Sequence, residues 1–139
     1  MKKTILLLIF VTFSLSHNLT WMWSGRTHSE LNWKTIESKN FRVHYHQGLE
    51  VIAQKGLTYA EQIYPTLLKQ SGIESTPIMD IILTSEDEIL NGFAVSTNQT
   101  FIWVDQNDAA IWLEDGKWLY QVLAHELQHL IYFNAVKTW

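Results

Sequence analysis

At 139 residues, 47% hydrophobic and 17% charged, with two prolines and no cysteine, the chain has the make-up of one ordinary globular domain and not of a disordered or fibrous protein. A chain of this size buries about two-thirds of the surface its unfolded form exposes, enough for a core without staples, and the lack of cysteine excludes disulfides and cysteine lipidation. A formal net charge of -4 with no basic run excludes a footing for nucleic acid or anionic lipid.

In chain order, the first segment sets destination. Lys2 and Lys3 precede the apolar run Ile5-Leu6-Leu7-Leu8-Ile9-Phe10-Val11, and Ser14 and Ser16 supply small residues at positions minus three and minus one of a cut after Ser16. Residues 1–16 read as a secretory signal peptide. An uncleaved anchor is the competing reading, but the run falls short of the ~20 residues that span a bilayer. Removing two lysines takes the net charge from -4 to -6. Export without disulfides points to a bacterial periplasm or exterior, with no stable membrane insertion after cleavage. Residues 17–139 are expected to form the mature domain.

From His17 to Lys34 the chain is polar, carries Trp21, Trp23 and Trp33, and reads as an irregular lead-in. Phe41 to His46 alternates strictly, with Phe41, Val43 and Tyr45 on one side and Arg42, His44 and His46 on the other, which predicts a half-buried strand with solvated histidines. After Gly48, Leu49, Ile52, Ala53, Ala60, Ile63, Tyr64 and Leu67 recur every three or four residues, an amphipathic helix that Pro65 should kink or interrupt and Gly72 end. Ile78 to Leu83 is short and β-branched, a buried strand, followed by an acidic turn at Glu86-Asp87-Glu88. Asn91-Gly92 and Asn98-Gln99 read as tight turns bracketing Phe93-Ala94-Val95 before Thr100 to Val104, which resembles a hairpin. The last helix is expected from about Lys117 to Asn134, with Asp115 as its N-cap. Strand, helix, strand, hairpin, helix implies an α+β domain with helices on one face of a small mixed sheet.

That last helix carries His125-Glu126-Leu127-Gln128-His129. Residues i and i+4 of a helix lie one above the other, so His125 and His129 can reach one zinc ion together, and Glu126, about 100° around the helix, can lean toward it without ligating. Zinc lowers the pKa of bound water to near 7, and a carboxylate beside it can take the proton as that water attacks a carbonyl. Leu119, Val122, Leu123, Ala124, Leu127, Leu130, Ile131 and Phe133 make the helix apolar around most of its circumference, which predicts that the three polar residues sit inside the protein or in a cleft. His44 and His46 are a second pair on one strand face, better read as exposed polar residues than as metal ligands.

Leu123-Ala124-His125-Glu126-Leu127-Gln128-His129-Leu130-Ile131 resembles the active-site helix of gluzincin-type zinc metallopeptidases, in particular exported bacterial proteins of the peptidase MA-like group, some of which precede a TolB-like β-propeller. The similarity in kind and order extends over Phe41 to Tyr45, Ala60-Glu61-Gln62-Ile63-Tyr64-Pro65, Ile78 to Leu83 and Asn91-Gly92-Phe93-Ala94. The resemblance implies a zincin-like N-terminal subdomain that hydrolyses peptide or protein substrates, with His125 and His129 on zinc and Glu126 as base. It also implies a strand edge above the zinc helix that pairs with the substrate backbone, here Asn91, Gly92, Phe93 and Ala94 or the strand that follows. A simple turn and hairpin is the alternative for those four residues.

One departure stands out. The gluzincin third ligand is a glutamate on a later helix, whereas residues 130 to 139 hold no acidic residue, and Glu114 and Asp115 fall roughly 15 Å from the histidine pair, where they suit capping and the helix dipole. The expectation is a metallopeptidase-like domain that is C-terminally incomplete, with a downstream C-terminal domain as partner. The rival expectation is a non-catalytic exported binding or scaffold module that keeps a peptidase-like fold.

Overall fold

The computed structural model describes residues 28, 30–85, 91–104 and 117–137. The proposed signal segment, most of the lead-in, the acidic turn at Glu86 to Glu88, and Glu114 and Asp115 lie outside them. The chain divides into two compact units, Met1–Glu30 and Leu31–Trp139. In the first, His28 Nδ1 lies 2.8 Å from Glu30 Oε1. The second holds the strands and helices of the described residues, none of whose helices is long and apolar enough to cross a membrane.

This second unit is α+β: β1 (Trp33–Glu37), β2 (Phe41–His46), α1 (Glu50–Ser71), β3 (Met79–Thr84), β4 (Asn91–Val95), β5 (Gln99–Trp103) and α2 (Trp118–Lys137). The five strands form one mixed sheet in the order β1-β2-β3-β5-β4. β2, β3 and β5 run parallel, and each edge strand is antiparallel to its neighbour. Parallel neighbours need a crossover, which α1 supplies between β2 and β3. Alternation decides which side the helices take. Phe41 and Val43 on β2, Met79, Ile81 and Leu83 on β3, and Thr100 and Ile102 on β5 point to one face and are wholly or almost wholly buried against Leu49, Ala53, Ile63, Leu123, Leu127, Leu130 and Ile131 of the helical layer. Each such aliphatic or aromatic side chain contributes about 1.5–3 kcal/mol relative to exposure.

The opposite face is half polar and half aromatic. Arg42 donates to both oxygens of its cross-strand neighbour Asp80, Nε to Oδ1 at 2.7 Å and Nη2 to Oδ2 at 3.0 Å. His44 bridges Asp80 Oδ1, at 3.0 Å from Nε2, and Thr35 Oγ1, at 2.9 Å from Nδ1. Toward the other edge Phe93 stacks on Phe101 and Trp103, with ring centroids 5.0 and 5.7 Å apart.

Four expectations need correction. β1 falls where an irregular stretch was expected; as an edge strand it turns only Ile36 toward the core, so it lacks the apolar alternation that marks a half-buried strand. Pro65 does not interrupt α1, which runs through it from Glu50 to Ser71 with the proline ring on the exposed side. Asn91-Gly92 is not a turn but the start of β4, while the hairpin itself turns at residues 96–98 with Asn98 in the left-handed region at φ 65°. His46 is not solvated: it is 3% exposed. A backbone carbonyl can only accept and an N–H only donate, so Nδ1–H must donate to Gln47 O (3.0 Å) while Nε2 accepts from Ser85 N (3.2 Å), which fixes the tautomer. His44 and His46 are therefore committed to protein partners and not to a shared metal. Gly72 does end α1 as expected, at φ 68° with its N–H on Leu68 O.

The turn between β1 and β2 is held by one carboxylate of α1. Glu61 accepts from Ser38 Oγ (2.6 Å), Asn40 N (3.2 Å) and Asn40 Nδ2 (2.8 Å). Burial pushes its pKa up, but these hydrogen bonds and the nearby Lys39 charge outweigh burial and hold it below the ordinary 4.5. A depressed carboxylate contributes stability that is present above pH 4.5 and lost as pH falls through the folded-state value. Glu61→Gln is expected to lower unfolding free energy by about 1.5–3 kcal/mol at pH 7, by urea titration, with the gap to wild type closing below that window.

Candidate metal centre

α2 is built by a stripe of Leu119, Leu123, Leu127, Leu130, Ile131 and Ala135, which buries one side of the helix against the sheet and α1. The other side carries Gln121, His125, His129, Tyr132 and Val136, all exposed, the last two at 59% and 55%. The apolar circumference predicted that His125, Glu126 and His129 sit inside the protein or in a cleft; Glu126 is buried, but the two histidines are exposed, because among the described residues only one side of the helix meets the core. Gln128 is half-buried and reaches Ser71 Oγ at 3.5 Å.

The two imidazoles converge. Nε2 of His125 lies 3.1 Å from Nε2 of His129, with ring centroids 4.7 Å apart and planes at 85°. His129 stacks in turn near Phe133, 6.4 Å between centroids and 24° between planes. Two lone pairs cannot face each other at that distance without something between them: either one ring's N–H donates to the other nitrogen, or a cation sits at the shared point. Two nitrogens bonded to one zinc at ~2.0–2.1 Å with a tetrahedral angle lie about 3.3–3.4 Å apart. The observed separation is within a few tenths of an ångström of that span, so the pair fits zinc. It fits as half a site, because among the described residues no group of three or more histidine, cysteine, aspartate or glutamate side chains is placed to hold a metal.

Glu126 is 5% exposed, turned off the histidine face and under β4. Gly92 makes that approach feasible: a Cβ there would meet Val122 Cγ2 at 2.9 Å, Glu126 Cγ at 3.0 Å and Glu126 Oε1 at 3.1 Å. Burial pushes the Glu126 carboxyl above its ordinary pKa, opposed by the fields of His125 and His129. A carboxylate raised this way is a better proton acceptor than a solvated one. Gly92→Ala is expected to cost about 1–3 kcal/mol by overpacking, read from urea unfolding, and to swing Glu126 off its present rotamer.

Of the four expected edge residues, Gly92 packs on α2 and Ala94 on the core behind it, while Phe93 points to the far face with Phe101 and Trp103. β4 is the terminal strand, paired through the register Gly92↔Ile102 and Ala94↔Thr100 to β5. Reading Asn91-Gly92 as a turn missed the contact between Gly92 and the HExxH helix. The available signal was a glycine inside an alternating stretch, which marks close backbone approach. Comparison of the chain with protein-family models, with curated proteins and with solved structures finds no match.

Proposed function

We propose that this chain carries the zinc-binding and proton-accepting half of an exported bacterial metallopeptidase of the gluzincin type, with residues 1–16 as its signal peptide and the zincin-like subdomain beyond it. The observation that carries the reading is the convergence of His125 and His129 Nε2 to 3.1 Å on the helix whose next residue, Glu126, is held under an edge strand. His125 and His129 would hold zinc, which supplies a Lewis acid for a peptide carbonyl and a bound water of lowered pKa. Glu126, desolvated beneath Gly92, would serve as the proton acceptor for that water and as proton donor to the leaving amine. β4 lies where an extended peptide added to the sheet would pass over α2, so that main-chain bonds orient the scissile carbonyl. The third protein ligand would come from outside the described residues.

A scaffold or binding module without catalysis is the second reading, favoured by the absence of a three-residue ligand group among the described residues. Zinc retention with hydrolysis of a generic unfolded protein substrate, both lost in His125→Ala, supports the peptidase. Zinc retention with no hydrolysis by any form of the protein carrying a third ligand supports the module.

A further inference from the structure

We propose that zinc at His125 and His129 is completed by a second copy of this chain, the two histidine pairs giving four imidazole nitrogens to one ion on a two-fold axis. The inference rests on the zinc-binding part of the reading above. Ligand arithmetic motivates it: one chain offers two nitrogens already set at a zinc-like span, and a tetrahedral ion needs two more. Those nitrogens are on exposed side chains of a helix face, so another molecule can reach them.

The face suits a copy of itself. Gln121, His125, His129, Tyr132 and Val136 follow one another along α2, and the helix has just two permanently charged residues, Glu126 and Lys137. Glu126 is buried beneath β4, and Lys137 Nζ donates to Ser96 O at 2.6 Å. Two such faces meet without like-charge repulsion although each chain is net acidic, and exposed Tyr132 and Val136 supply apolar contact beside the metal. A four-nitrogen site is a closed one, with no coordination position left for water. The bridged dimer is therefore an inactive form, opened by supply of another ligand or by dilution.

The test is sedimentation velocity of the purified chain with metal analysis, first in chelator and then across a zinc titration. The expected result is a monomer in chelator and a dimer at one zinc per two chains. His129→Ala should stay monomeric at every zinc level. Tyr132→Glu, at an exposed position, should fold normally and raise the dimer dissociation constant about tenfold or more, equivalent to about 1.4 kcal/mol. One zinc per chain on a monomer would overturn the bridge and leave the proposed function standing. A dimer that persists in chelator would also overturn it. No zinc bound by any form would overturn the zinc reading itself.

Discussion

Glu126→Gln is expected to reduce any peptide hydrolysis at least about 100-fold while leaving metal retention at the wild-type level. The amide keeps the size of the side chain, so its packing beneath Gly92 survives, and it lies outside the His125–His129 pair, so the ligand geometry is untouched. What it lacks is the lone-pair basicity to accept a proton from water. The same substitution has a stability signature. A carboxyl whose folded pKa is raised above the unfolded value favours folding at low pH and loses that contribution as pH rises through the folded value. Metal-free Glu126→Gln should therefore be more stable than wild type at neutral pH, and the difference should shrink toward acid. A variant that loses metal along with activity would instead assign Glu126 a ligand role.

Leu123→Ala should lower unfolding free energy by about 2–5 kcal/mol, the largest structural effect expected of a single residue of α2. Leu123 is wholly buried beside the other helix. At Gly56 of α1 a Cβ would lie 3.7 Å from Leu83 Cδ1 and 4.0 Å from both Leu119 Cδ2 and Leu123 Cδ1. Helix, helix and sheet thus meet at one point, and truncation there opens a cavity in the core. Because Leu123 lies two residues before His125, about 200° around the helix and so on its opposite side, zinc affinity measured under folding conditions should change little. Loss of zinc binding in a still-folded Leu123→Ala protein would mean that the histidine pair depends on core packing more than on helix spacing.

The contrast between these two residues explains how much was legible in the sequence. Elements with a strong period are legible: β2 and β3 from alternation and β-branched content, α1 from its three-to-four spacing with Gly72 as terminator, α2 from its leucines. β1 was missed because an edge strand that turns one side chain inward carries no period to detect. Within the site, the helical spacing of His125 and His129 already placed them together, since four residues bring any two side chains onto one face. Their exposure was not legible. Apolar composition says how much of a helix could be buried, but which side is covered depends on neighbours that the sequence does not name, and here Tyr132 and Val136 share the open face with the ligands. The polar set of Thr35, His44, Arg42 and Asp80 was hidden for the same reason: it depends on the parallel register of β2 with β3, which brings together residues 38 positions apart. The seat of Glu126 under Gly92 joins a strand glycine to a helix carboxylate: the glycine inside β4 marks a close approach, but nothing local in the sequence names its partner.

Cobalt(II) titration tests the central claim most directly, because cobalt replaces zinc and its visible absorption reports tetrahedral coordination by imidazole. The wild-type chain and Glu126→Gln are predicted to develop the intense tetrahedral band, displaced by zinc, while His125→Ala and His129→Ala show only the weak spectrum of the hydrated ion. A wild-type spectrum indistinguishable from hydrated cobalt, or a tetrahedral band that survives in either histidine variant, would contradict the assignment of this helix as a zinc centre.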